Sequence, residues 1–286
     1  LTYFSRTGSK NKIEQIVANE INADYFFSQS FRSYVLIIID GISYCITSNK
    51  NLEFEFYDYV LLSNKKPTEE SLANEGEIVL KKWMKHPLKR EFTTVEIKNS
   101  WIGNFNFIEE NIQTQSQGLR EPQIAALYSI LSHLKVSENI GTVVMPTGTG
   151  KTETMLSALI AGKLDKIIVT VPSDALRTQI STKFLKLGLL KKFGIINSEV
   201  INPKIGIIYQ NFSNTGDLLE FIEKSNVIVT TMNILSNFST DVLSTLNDRI
   251  SNVFIDEAHH IEANSWKRVR AAFDNVKILQ FTATPF

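Results

Sequence analysis

The chain has 286 residues, 43% hydrophobic and 21% charged, with 30 basic and 30 acidic side chains. That is length enough for one large or two ordinary cores, and too even a charge balance for electrostatics alone to hold a polyanion. No apolar run approaches the roughly 20 residues of a membrane span, no signal peptide is visible at the start, and the single Cys45 cannot form an internal disulfide. A soluble, cytoplasmic protein without a membrane partner is therefore expected. Four scattered histidines, His86, His133, His259 and His260, have no companion cysteines and give no zinc pattern.

In chain order, the first hundred residues mix patterns. "YFSRTGSKNKIEQIVANEI" (3–21) resembles the phosphate loop and first helix of flavodoxins, but no β-α-β series follows. It reads instead as a turn and a surface helix over "NKIEQIVANEI". "RSYVLIIIDGISYCITSN" (32–49) predicts a β-hairpin turning at Asp40-Gly41, because Asp-Gly suits two positive-φ positions. "FYDYVLL" and "REFTTVEIKNSWIGNF" predict strands, and "TEESLANEGEIVLKKWM" a helix. Glu96 and Lys98 form an E-x-K on the expected strand, as in restriction-type nucleases, with Asp40 or Asp58 as the further carboxylate such a site needs. The same alternation is also the ordinary exposed face of a strand. Polar "NIQTQSQG" (111–118) predicts a linker, which divides the chain into an α+β accessory domain over 1–113 and a second domain over 114–286. The first carries 13 Lys/Arg and 15 Asp/Glu, the second 17 and 15.

From residue 139 short apolar runs alternate with helical patterns. "IGTVVM" (140–145), "KIIVTV" (166–171), "IGIIY" (205–209), "NVIVTT" (226–231), "NVFID" (252–256) and "VKILQFT" (276–282) are continuous and β-branched. Between them apolar residues recur at three and four. Such runs predict a parallel sheet covered by helices on both faces, an α/β fold.

Two stretches carry chemistry. In "VVMPTGTGKTETM" (143–155) a strand enters a loop containing Thr147, Gly148, Thr149 and Gly150, and a helix follows from Lys151 and Thr152. Glycines let the backbone curl so that N–H groups point at a polyphosphate, and the helix adds its positive end. Lys151 is placed to reach the β- and γ-phosphates and Thr152 to help hold Mg2+. Met145 stands where the strict motif has its first glycine. In "NVFIDEAHH" (252–260) Asp256 and Glu257 leave the end of another strand, at the edge where such sheets bind ligands. Asp256 can hold the metal and Glu257 can polarise the attacking water.

Together these residues resemble superfamily 2 helicases and translocases, in the DEAD/DEAH-box and restriction-enzyme-like branch, over about residues 116–286. The resemblance implies a RecA-like first lobe of the P-loop NTPase type that binds ATP with Mg2+. "GLREPQIAAL" (118–127) is similar to the adenine-recognising segment, with Gln123 and Arg120. "VTVPSDALRTQ" (169–179) is similar to motif Ia and "VIVTTMNIL" (227–235) to motif Ib, which in the family touch a nucleic-acid backbone. Pro172, Ser173, Arg177, Thr230, Thr231 and Asn233 are the candidates there, although Ser173 is also an ordinary helix cap and the threonines an ordinary strand end. "FTATP" (281–285) is similar to motif III. There Thr282 and Thr284, with His259 of the DEAH stretch, would couple the phosphate site to motion.

In the family a second RecA-like lobe follows and supplies arginines, so the chain is expected to be the first lobe of a longer motor. DNA is favoured over RNA as partner, and a restriction or antiphage-defence system, with a nuclease or specificity subunit, is the expected setting. The alternatives are an ATP-sensing regulatory module, or a helicase joined to a nuclease in the first domain.

Overall fold

The computed structural model describes residues 3–7, 10–18, 27–53, 55–74, 77–85, 92–212, 214–257 and 263–284. Along the chain run β1 (Tyr3–Thr7), β2 (Lys12–Ala18), β3 (Phe27–Ser30), β4 (Tyr34–Ile39), β5 (Ile42–Thr47), β6 (Tyr59–Ser63), α1 (Glu69–Ala73), β7 (Leu80–Lys85) and α2 (Thr94–Asn99). Helices and strands then alternate: α3 (Glu121–Val136), β8 (Gly141–Val144), α4 (Lys151–Ala161), β9 (Ile167–Val171), α5 (Asp174–Lys186), β10 (Ile205–Ile207), α6 (Thr215–Glu223) and β11 (Val227–Thr231). α7 (Met232–Ser236), α8 (Thr240–Asn247), β12 (Asn252–Asp256), α9 (Ala263–Ala272) and β13 (Lys277–Thr282) complete the series. No helix among the described residues is long and apolar enough to cross a membrane. Contacts group the chain into two compact units, residues 1–4 with 17–91, and residues 5–16 with 92–286.

The larger unit is built on a sheet of order β1-β2-β10-β11-β9-β12-β13-β8, parallel from β10 to β8. All six expected strands of this region form. Every residue of β9, β11 and β12 is buried, because successive side chains enter opposite cores. Ile167, Val169 and Val171 pack on one face with Met155, Leu159 and Phe184. Ile168 and Ile228 pack on the other with Leu218, Leu235 and Leu246. Each such side chain contributes about 1.5–3 kcal/mol by leaving water. This is the RecA-like α/β fold expected from the sequence.

Within the segment expected to be helical at 11–21, Lys12–Ala18 instead form β2, antiparallel to β10 with Ile207 opposite Lys12 and Ile205 opposite Glu14, and 19–21 lie outside the described residues. Ile13 and Ile16 are three apart, which mimics a helical stripe. In the strand they serve opposite faces, Ile13 packing on one core and Ile16 belonging to the other. The unpaired backbone edge of β10 is satisfied by this ladder, which outweighs local helix propensity.

The strand expected at "TTVEIKN" is α2. Thr93 Oγ1 accepts from the Glu96 N–H (3.1 Å) while Glu96 Oε2 accepts from the Thr93 N–H (2.9 Å), a reciprocal cap. Lys98 pairs with Asp165 at 3.1 Å. Residues two apart on a helix do not face each other, so Glu96 and Lys98, both on α2, do not form the arrangement a restriction-type nuclease needs. The expected linker is a closed loop inside the larger unit: the Leu119 N–H bonds Ile108 O (2.8 Å) and the Glu110 N–H bonds Leu119 O (2.9 Å) across its base. A Cβ on Gly118 would sit 2.5 Å from the backbone of Glu109. Residues 92–113 group with the larger unit, the Trp101 indole donating to Ile201 O (3.2 Å) and the Asn226 amide to Thr94 O (2.9 Å).

The smaller unit holds a five-stranded sheet of order β3-β4-β5-β6-β7, antiparallel except for the parallel β5–β6 pair. The hairpin at Asp40 (φ 49°) and Gly41 (φ 77°) is as expected, with Ile39 opposite Ile42. Asp58 is engaged by Ser43, whose N–H and hydroxyl donate to it at 2.8 and 2.7 Å and hold its carboxyl below the usual range. Among the described residues of the helix expected over 68–84, Glu69–Ala73 form α1, capped by Thr68, and the stretch from Leu80 is strand β7. Cys45 is buried, which pushes its thiol up to about 12 and removes it as a nucleophile.

Candidate nucleotide-binding site

The chain leaves β8 at Met145, whose N–H still bonds Thr282 O on β13 (2.9 Å) and whose side chain is buried. The missing motif glycine is thus filled by a residue that points into the core. The Thr149 N–H and hydroxyl both donate to Pro146 O, at 3.2 and 2.6 Å, closing a tight turn. Gly148 (φ 82°) and Gly150 (φ 93°) lie in the left-handed region. Gly150 is the N-cap of the 11-residue α4 and offers no side chain to it. The first-turn N–H groups from Lys151 onward have no intrahelical acceptor, a geometry suited to an anion. Thr147 and Gly148 are exposed, and Thr152 is half-buried in the first turn.

Gln123, on the first turn of α3, is 6% exposed. Its Oε1 accepts from the Arg120 N–H (2.8 Å) and its Nε2 donates to Gly150 O (3.2 Å). Arg120 Nη1 donates to Gly148 O at 3.0 Å. Both expected base-site residues thus also brace the phosphate loop, a role the sequence reading missed. A cavity of about 290 Å³ adjoins them, lined by Gly118, Arg120, Gln123, Gly150, Leu190 and Phe193 among others. Leu190 and Phe193 carried no sequence signal, since they lie on the irregular stretch after α5.

β12 delivers the acidic pair. Asp256 is 7% exposed, and burial, followed by repulsion from Glu257, raises its carboxyl above the ordinary value while Lys151 pulls it down. Glu257 turns out of the strand at φ 50°, an uncommon conformation for a non-glycine residue, and its N–H bonds Asp256 Oδ1 at 3.1 Å. Lys151 Nζ donates to Glu257 Oε1 in a close, largely buried ion pair spanning 106 positions. The loop lysine and the acidic pair therefore share one site. A carboxylate and a hydroxyl are hard oxygen donors of the kind Mg2+ prefers; Asp256 at the end of β12 and Thr152 in the first turn of α4 are the residues that could offer them.

Thr282 closes β13 fully buried, and its Oγ1 donates to Thr284 O (2.8 Å). Thr284 is exposed. His259 and His260 lie outside the described residues.

The backbone-contact candidates fall along the same edge, at the ends of β9 and β11, in different states. Pro172 and Ser173 are exposed, and Ser173 Oγ caps α5 through the Leu176 N–H (3.4 Å). Thr231 caps α7 through the Ile234 N–H (3.3 Å) and Asn233 is exposed. Thr230 is fully buried, and its hydroxyl has no hydrogen-bond partner. Arg177, expected to face a phosphate backbone, is 4% exposed and pairs with Asp174 at 3.0 Å. In this structure neither Thr230 nor Arg177 presents its side chain to solvent.

The family model of the type III restriction enzyme, res subunit, matches residues 116–286, more than half of the chain. Among solved structures the chain is similar to the UvsW helicase from bacteriophage T4, at 14% identity over 68% of this chain and 62% of that one, with a TM-score of 0.42. It is also similar to a DEAD box protein from the hyperthermophile Methanococcus jannaschii, at 19% identity, 58% and 44% coverage and a TM-score of 0.43. A third is the DEAD-box helicase Mss116 bound to ssRNA and UDP-BeF, at 19% identity, 69% and 42% coverage and a TM-score of 0.42. The chain spans less than two thirds of each of these structures, and at such scores the likeness adds nothing to the geometry above. No curated protein matches the chain. The phosphate loop, the acidic pair and the matched family place the chain in the type III restriction enzyme, res subunit, family, with a superfamily 2 helicase-type first RecA-like lobe.

Proposed function

We propose that residues 114–286 bind and hydrolyse ATP as the first motor lobe of a nucleic-acid-dependent translocase or helicase. Its track is double-stranded DNA, and its setting is a restriction or antiphage-defence system with a separate nuclease or specificity subunit. A second RecA-like lobe completes the ATP site. The observation that carries the reading is the Lys151–Glu257 ion pair, which brings the phosphate loop and the acidic pair together.

In this mechanism the first-turn N–H groups of α4 and the loop 147–150 hold the β- and γ-phosphates, and Lys151 moves from Glu257 onto them. Release of that ion pair frees the Glu257 carboxylate to accept a proton from the attacking water as the bond from the γ-phosphorus to the leaving oxygen of ADP breaks. Asp256 and Thr152 would hold Mg2+, which would supply positive charge to offset that developing on the phosphate oxygens. Gln123 and Arg120 brace the loop and border the cavity that takes the base. Thr282 and Thr284 join this site to the end of β13. The smaller unit serves as an accessory element.

ATP turnover by the purified protein, measured with and without duplex DNA, single-stranded DNA or RNA, tests the proposal. Turnover should rise most with duplex DNA. Lys151→Ala and Glu257→Gln should each lower it by roughly 10²- to 10³-fold, the scale for removing one preorganised catalytic group. Equal turnover in the presence and absence of every nucleic acid would point to an ATP-sensing module instead.

A further inference from the structure

We propose that strand β2 extends the nucleic-acid track with a phosphate contact of its own, Lys12, which the ring of Tyr209 holds in place. The inference rests on the reading of the chain as a nucleic-acid motor.

β10, β11, β9 and β12 are parallel, so their carboxyl ends lie on one edge, where Asp256 and Thr231 also sit. β2 runs the other way, with Lys12 opposite Ile207 at the end of β10. Antiparallel pairing therefore carries the start of β2 to the edge that binds ligands in parallel sheets. The loop after β10 is clamped to that start. Asn11 Oδ1 accepts from the N–H groups of Tyr209 (2.9 Å) and Gln210 (3.2 Å), and Asn11 Nδ2 donates to Gln210 O (3.1 Å). Three hydrogen bonds across 198 to 199 positions fix the backbone at Tyr209 and Gln210 against the start of β2.

That ring carries two cations. Arg177 Cζ lies 4.2 Å from its centroid and Lys12 Nζ 5.2 Å. Arg177 is the buried support: it pairs with Asp174, and its Nε has no hydrogen-bond partner. Lys12 makes no ion pair among the described residues, and Tyr209 is 37% exposed. A surface cation on a ring gains only about 0.5–1 kcal/mol, which orients the ammonium without neutralising it. Exposed Gln210 and Asn211 follow directly, so the surround of the ring is polar. An oriented, unneutralised ammonium among amides fits a chain of phosphates better than an apolar protein face. Lys12 is a contact residue, and Tyr209 a positioning residue that acts through it.

Binding of labelled duplex and single-stranded DNA by the purified protein, followed by anisotropy across a potassium chloride series, tests this. Lys12→Gln should weaken binding roughly three- to tenfold at low salt and lower the slope of log affinity against log salt by about one. Lys12→Arg should restore the slope, Tyr209→Phe should leave binding unchanged, and ATP turnover without DNA should be unaffected throughout. If the wild-type protein binds no DNA, the motor reading fails and takes this contact with it. If it binds DNA and Lys12→Gln matches it in affinity and slope, only the contact is wrong.

Discussion

The two halves of the sheet's carboxyl edge use the same polar residue types to different ends. Around β8 and β12 they are locked to one another: Gln123 to Gly150, Arg120 to Gly148, Lys151 to Glu257. Around β9 and β11 they are spent on the chain itself, with Ser173 and Thr231 capping helices and Arg177 buried beside Tyr209. A nucleotide site needs a fixed shape before its ligand arrives, because each preset group avoids reorganisation later. A backbone track needs only oriented charge and free amides, since phosphates repeat along the strand. One edge therefore joins a braced loop to a stretch whose polar groups serve its own helices.

The sharpest way to break this contrast is at Gly150. Its φ of 93° is hostile to a side chain, and an added Cβ would lie 2.1 Å from Gln123 Nε2. Gly150→Ala should lose about 2–4 kcal/mol of ATP affinity or of stability, combining backbone strain with the lost brace. Gly148→Ala, also at positive φ but with nothing within 4 Å of its Cβ, should lose only the strain, about 1–3 kcal/mol. Equal losses in paired ATP titrations and thermal melts would show that the Gln123 brace has no role.

A smaller effect concerns the backing of the cavity wall. Lys191 donates to Asn202 Oδ1 at 2.9 Å, and burial lowers its ammonium from 10.5 to about 8. Below pH 8 both folded and unfolded chains hold the proton, and the fold carries the cost of burying it. Between pH 8 and 10.5 the fold sheds the proton while the unfolded chain keeps it, so stability rises with pH. Denaturant titrations should show a rise on the order of 1–2 kcal/mol in the wild type, once partial exposure is allowed for, that Lys191→Met lacks. At the other half of the edge the change is smaller still. Ser173→Ala should cost about 1 kcal/mol of stability through the lost cap and leave ATP affinity unchanged. A drop in ATP affinity there would erase the distinction between the halves.

Legibility in the sequence followed the same physics. Continuous β-branched runs announced β9, β11 and β12 because both faces are buried, and the glycine pattern announced the phosphate loop because few other residues adopt its φ values. β2 was hidden because Ile13 and Ile16 cover opposite faces of a strand at a spacing that imitates a helix. α2 carried its own signal, Thr93 followed three residues later by Glu96, but the alternating E-I-K masked it. The burial of Arg177 could not be read locally, since Tyr209, which it stacks on, lies 32 positions away. Gln123 was recognised for its amide, yet its bond to Gly150 depends on how α3 meets α4.

The most direct test of the central claim, that the loop at 147–152 and the carboxylates at 256 and 257 grip one nucleotide, is calorimetry with ATP and Mg2+ on wild type, Lys151→Ala and Glu257→Gln. Wild type should show one site, Lys151→Ala should lose binding, and Glu257→Gln should bind as wild type with its turnover lowered. No heat of binding in the wild type, or undiminished affinity in Lys151→Ala, would contradict it.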